Sequence, residues 1–94
     1  MPRFRIRTTD RFEAQLEQVN RTPQFEKYFS SAIVLRLEEN PYEGTFLSDN
    51  LHPIRKVVSP WYREELGREC RIGVYFAILP ERVVELRYLE LRQR

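Results

Sequence analysis

Residues 70–94 read C-R-I-G-V-Y-F-A-I-L-P-E-R-V-V-E-L-R-Y-L-E-L-R-Q-R, and the rest of the chain is organised around them. Two apolar, β-favouring runs flank the break Leu79-Pro80-Glu81-Arg82. In the first, Cys70, Ile72, Val74, Phe76 and Ile78 alternate and share one strand face, leaving Arg71, Gly73, Tyr75 and Ala77 on the other. In the second, Val84, Leu86, Tyr88 and Glu90 share a face opposite Val83, Glu85, Arg87, Leu89 and Leu91. The short break predicts an antiparallel hairpin with Arg71, Arg87 and Arg92 at or near one surface. Helices are expected on the hairpin's apolar face, and function among the arginines.

Upstream, Phe4, Ile6 and Thr8 alternate with Arg3, Arg5 and Arg7, which predicts a half-buried strand with one arginine-rich face. A solvated edge strand, its charges blocking aggregation, is the plainer account of those arginines. Asp10 starts a helix near 10–20, with Asp10 and Glu13 at capping-box spacing and Phe12, Leu16 and Val19 at helical spacing. Thr22 caps a second helix over 22–39, with Pro23 at its first position and Asn40-Pro41 as its stop. Phe25, Tyr28, Phe29, Ala32, Ile33 and Leu37 form the apolar stripe of that helix. Turn chemistry from Pro41 to Pro53 predicts a loop, with Phe46, Leu47 and Leu51 tucked against the core. Residues 54–58, Ile-Arg-Lys-Val-Val, predict a third strand. Trp61 and Tyr62 suit the edge of the core, with base stacking as the alternative.

Composition bounds the function. An apolar fraction of 41% in 94 residues is one folded domain with a modest core. No apolar run reaches the ~20 residues that span a bilayer, and the arginine-rich N-terminus lacks the apolar centre of a signal peptide, so a cytoplasmic location is the default. One cysteine, Cys70, allows neither an internal disulfide nor a paired-cysteine metal site, and its apolar strand face argues for an inert thiol. The three glycines, Gly44, Gly67 and Gly73, are too scattered for a phosphate loop, and no His-Glu-x-x-His or paired-cysteine motif occurs, so neither zinc nor a nucleotide cofactor is expected. Net charge is only +2, yet the strand regions are basic and the helical regions acidic. Arginine dominates the cations, and its planar fork suits phosphate. A basic sheet therefore points to an anionic partner. His52, the lone histidine, is a surface residue or a general acid or base.

The order strand, helix, helix and three strands resembles the RelE/ParE superfamily of bacterial toxins. Asn40-Pro41-Tyr42-Glu43-Gly44 resembles the family's Asn-Pro segment with its following glycine, and Leu51 through Val58 its basic strand. Cys70-Arg71-Ile72 resembles the family's Tyr-Arg-Ile strand, and Val83-Val84-Glu85-Leu86 into Arg92 its last strand. The resemblance implies an α+β fold, β-α-α-β-β-β, with a helical hairpin on a mostly antiparallel four-stranded sheet across residues 1–94. It also implies a cytoplasmic toxin neutralised by a cognate antitoxin protein. RelE-like members enter the ribosome and cut mRNA without a metal, whereas ParE-like members inhibit DNA gyrase.

Carried onto this sequence, the resemblance implies that Arg71 holds the scissile phosphate, with Arg92 and Lys56 as further catalytic residues; Tyr88 matches no motif position and joins the catalytic set only by a different geometry. Arg55, Arg68 and Arg87 are assigned to RNA. Leu91 stands where the family often has histidine, and Tyr75 falls one residue after the family's usual tyrosine. The proton donor is thus open among His52, Tyr75, Tyr88 and Glu90. Three functions follow as expectations: a ribosome-dependent mRNA endonuclease, a non-catalytic relative such as a gyrase inhibitor, or a protein-interaction domain using its sheet edge.

Overall fold

The computed structural model describes residues 3–47 and 53–94. Strand β1 (Arg5–Thr8) leads into helix α1 (Asp10–Gln18). Thr9, not Asp10, caps that helix, its Oγ1 accepting from the Phe12 N–H at 3.2 Å. Asp10 and Glu13 instead supply negative charge in the first turn, which the helix dipole favours. Thr22 caps the second helix as its sequence predicts, accepting from the Phe25 N–H at 3.1 Å, with Pro23 at the start. That helix runs unbroken through α2 (Pro23–Tyr28), a π-helical stretch Phe29–Val34 and α3 (Leu35–Glu39). A 3₁₀ turn at Pro41–Glu43 follows.

The strands are β2 (Thr45–Phe46), β3 (Arg55–Val58), β4 (Tyr62–Arg63), β5 (Glu69–Leu79) and β6 (Val83–Gln93). They form one mixed sheet in the order β1-β6-β5-β3-β2, with β4 also paired to β5. β1 lies parallel to β6 and the remaining pairs are antiparallel. The expected four-stranded sheet is thus corrected to six strands. The two additions, β2 and β4, are two residues each, formed where connecting segments lie along β3 and β5. Runs that short carry no alternation a sequence could display.

Both helices pack on one face of the sheet. Phe12, Leu16, Phe25, Ile33 and Leu37 meet Val57, Ile72, Val74, Phe76, Val84, Leu86 and Leu89 in a single buried cluster. Each large side chain so buried contributes roughly 1.5–3 kcal/mol of transfer free energy. Stacked Phe12–Phe29 and Tyr28–Tyr62 pairs, with centroids 6.2 Å and 4.8 Å apart, tie the second helix into it. Phe46 and Leu47, expected to tuck into the core, stand about half exposed instead (48% and 49%). Leu51 and His52 lie outside the described residues.

One irregularity decides which side chains share the uncovered face. The β5–β6 register steps from Tyr75↔Tyr88 to Phe76↔Leu86, so Arg87 is the extra residue of a β-bulge. The bulge puts Leu86 and Leu89 both into the core, although they are three positions apart. The expected face of Val84, Leu86, Tyr88 and Glu90 is therefore split at Arg87. Past the point where β1 ends, the Gln15 side chain takes over the β6 edge. Its Nε2 donates to the Leu89 carbonyl at 3.1 Å and its Oε1 accepts from the Leu89 N–H at 2.8 Å.

Candidate nucleic-acid interface

On the face opposite the helices, the register brings three strands' polar side chains together. Arg71 sits across from Arg92, Gly73 from Glu90, and Tyr75 from Tyr88. On the other flank of β5, Lys56 faces Tyr75 and Val58 faces Gly73. Lys56, Val58, Arg71, Gly73, Glu90 and Arg92 line an open cleft of about 130 Å³. Gly73 makes the floor: a Cβ there would lie 3.2 Å from Lys56 Cε and 3.7 Å from Glu90 Cβ. The missing side chain is thus what keeps the cleft open.

Glu90 is the hub. Its carboxylate accepts from Lys56 Nζ at 3.4 Å, from the Tyr75 hydroxyl at 3.3 Å and from Arg92 Nε at 2.7 Å. Burial alone would push this carboxyl up, but the Arg92 hydrogen bond and the Lys56 charge outweigh it and hold the carboxyl below its ordinary value. Glu90 is therefore ionised at neutral pH. With three cations and one carboxylate, the cleft keeps a positive excess suited to a phosphate. Lys56 also lies 4.8 Å from the Tyr75 ring centroid, and Tyr75 meets Tyr88 edge to face at 5.6 Å.

Arg71 is held by backbone that continues the β3–β5 ladder. Ser59, fully buried, gives its N–H to the Ile72 carbonyl and accepts the Ile72 N–H on its Oγ, at 2.8 Å and 2.9 Å. Its carbonyl then accepts from Arg71 Nε at 2.8 Å. Only one of the guanidinium's donors is spent this way, and its planar fork borders the cleft.

Of the residues the sequence nominates, Arg71, Arg92 and Lys56 converge on the cleft; Tyr88 does not line it, but meets the ring of Tyr75, whose hydroxyl donates to Glu90. Arg87 shares the open face further along, where it donates to Glu85 at 2.9 Å. Arg7 pairs with the same carboxylate, and chiefly its hydrogen bond, against the burial cost, holds Glu85 below its ordinary value. Arg55 is not in the cleft. Its Nη1 donates to the carbonyls of Tyr42 and Gly44 at 3.3 Å and 3.2 Å, and its guanidinium lies over the Tyr42 and Phe46 rings. Arg68 is exposed near Asn20, Thr22 and Glu64, beside the start of the second helix, and is likewise separate from the cleft. Cys70 is buried, and burial pushes its thiol up, away from nucleophilic chemistry.

Two residues outside the nominated set stand out. Glu90, only one of several guesses for a proton donor, is the organising carboxylate; its signal in the sequence is its two-residue spacing from Arg92 on β6. Arg11, on α1, lies 5.0 Å from the Tyr88 ring centroid, a contact with no local sequence signal. Among the described residues, no group of three or more His, Cys, Asp or Glu side chains comes together to hold a metal ion. No described helix is long and apolar enough to cross a membrane.

Comparison of the chain with protein-family models, with curated proteins and with solved structures finds no match.

Proposed function

We propose that this chain is a toxin of the RelE/ParE kind that binds mRNA on the ribosome and cuts it by metal-independent transesterification. The observation that carries the reading is the convergence of Lys56, Arg71 and Arg92 around Glu90 in one cleft, on the sheet face the helices leave uncovered. In this scheme Arg71 and Arg92 hold the scissile phosphate, and Lys56 stabilises the charged phosphorane. The 2′ oxygen attacks phosphorus and the bond to the 5′ oxygen breaks, leaving a 2′,3′-cyclic phosphate and a 5′ hydroxyl. Glu90 takes the 2′ proton, and a tyrosine of the Tyr75–Tyr88 pair gives a proton to the departing 5′ oxygen. An antitoxin with an acidic segment would cover the same face between episodes of activity, in a cytoplasmic setting.

One observation favours a second reading. A carboxylate held below its usual range by Lys56 and Arg92 is a weak base. A relative that binds on this face without cutting, such as a gyrase inhibitor, would tolerate that; a nuclease must offset it when phosphate draws the cations away. Primer extension on message from a cell-free translation reaction separates the two. Cuts inside codons with the wild type, absent with Arg71→Ala at unchanged thermal stability, support the nuclease. Intact message with normal translation refutes it, and a supercoiling assay with gyrase then tests the second reading.

A further inference from the structure

Trp61 and Tyr62 are adjacent in sequence, yet the sheet divides them. Tyr62 pairs in β4, is only 4% exposed and stacks on Tyr28 in the core. Trp61 stays half-buried and, without lining the cleft itself, stands against Arg71, which does. The Arg71 guanidinium carbon lies 5.6 Å from its ring centroid and that of Arg94 lies 4.4 Å away. Ser59, two residues before Trp61, is the residue whose carbonyl holds Arg71 Nε. One short segment therefore sets both the indole and an arginine of the cleft, fixing their spacing.

The largest aromatic side chain is ordinarily covered by the core. Here it stands against an arginine of a cationic cleft and is dressed with guanidinium groups, the arrangement that sequence-tolerant readers of single strands use: cations for the backbone and a ring for a base. We infer that the cleft takes single-stranded RNA and that the base next to the phosphate held by Lys56, Arg71 and Arg92 stacks on Trp61. This rests on the RNA-binding reading above and adds to it a base contact at Trp61. A duplex keeps its bases stacked on one another, so only an unpaired, splayed base can reach the ring. The Arg94 side chain, 60% exposed and paired with Glu69 at 3.1 Å, gives up its place over the ring to the base and keeps its carboxylate partner.

Trp61 is the one tryptophan of the chain, so intrinsic emission reports this ring alone. The test titrates the full chain with a short fluorescein-labelled single-stranded RNA, read by anisotropy. The unlabelled RNA is read by tryptophan emission, with the matching duplex and a series carrying single abasic sites alongside. Expected are saturable quenching with the same midpoint as the anisotropy, weaker binding of the duplex, and loss of affinity at one abasic position. Trp61→Leu loses about 10-fold or more, Trp61→Phe less, and the abasic RNA costs Trp61→Leu nothing further. Arg71-dependent binding with unchanged emission, or equal affinity for intact and abasic RNA, would overturn the stacking inference while leaving the phosphate cleft standing. No anisotropy change with any RNA would instead sink the RNA-binding reading itself.

Discussion

Glu90→Gln keeps the shape of the cleft and removes the one negative charge among its lining residues. The effect on folding is small: Lys56 and Arg92 lose ion pairs at 3.4 Å and 2.7 Å, but Arg92 is 66% exposed. The Arg92 pair, this close to solvent, is worth about 1 kcal/mol or less, and Lys56, only 19% exposed, can still donate to the glutamine oxygen. The effect on RNA is larger and of opposite sign. A phosphate seated among Lys56, Arg71 and Arg92 would lie roughly 5–6 Å from the Glu90 carboxylate, where unit-charge repulsion is about 1–3 kcal/mol at effective dielectric constants between 80 and 20. Removing it should tighten binding about 10-fold at low salt. It should also steepen the fall of affinity with salt, because Lys56 and Arg92 become available to phosphate. If Glu90 is also the base, cleavage falls by about 10²–10⁴ while binding improves, a split that loss of folding cannot mimic. Anisotropy with labelled RNA at two salt concentrations reads the first effect and primer extension the second. Unchanged or weaker RNA binding by a folded Glu90→Gln protein would refute the placement of phosphate in this cleft.

Gly73→Val should fill the cleft, since even a Cβ lies 3.2 Å from Lys56 Cε; we expect RNA affinity to drop about 10-fold by anisotropy with stability little changed, because valine suits a strand. Phe12→Ala empties a fully buried ring site beside Phe29 and should cost about 3–5 kcal/mol in urea unfolding. The Tyr62 phenol is pushed up to about 12 from 10.0, first by its burial and then by the nearby Cys70 and Glu64 groups. A raised folded value means stability that is complete below pH 10 and lost as pH climbs towards 12, on the order of 2–3 kcal/mol. Tyr62→Phe should flatten the alkaline limb of the unfolding curve in that window. Equal alkaline limbs in the two proteins would count against the phenol as its source.

Salt and the proposed antitoxin would act on the same face. Glu85 and Glu90 each hold two cations, Arg7 with Arg87 and Lys56 with Arg92. The open sheet is thus a row of cations already partly neutralised by its own carboxylates. Phosphate or an acidic segment must compete with those internal pairs, which lowers the dependence of binding on ionic strength below what the number of cations alone would give.

What the chain determines by itself is local. Thr22-Pro23 and Asn40-Pro41 bound the second helix because capping and the missing proline N–H act within a few residues. The alternation of Ile72, Val74 and Phe76, and the stripe of Phe25, Ile33 and Leu37, name the core because period alone sets which side faces inward. Arg71 on the open face of β5 is legible for the same reason. Tertiary structure decides the rest. Alternation carries a period of two but cannot announce a phase slip, so the bulge at Arg87, which turns Leu89 inward and puts Glu90 beside Lys56, is invisible in one strand read alone. Arg55 and Lys56 are neighbours in sequence, yet the pleat sends one to the backbone carbonyls of Tyr42 and Gly44 and the other to the cleft. Trp61 and Tyr62 part in the same way. A site built from β3, β5 and β6 depends on which residues stand opposite one another, and that register follows from the packing of the whole sheet against its helices.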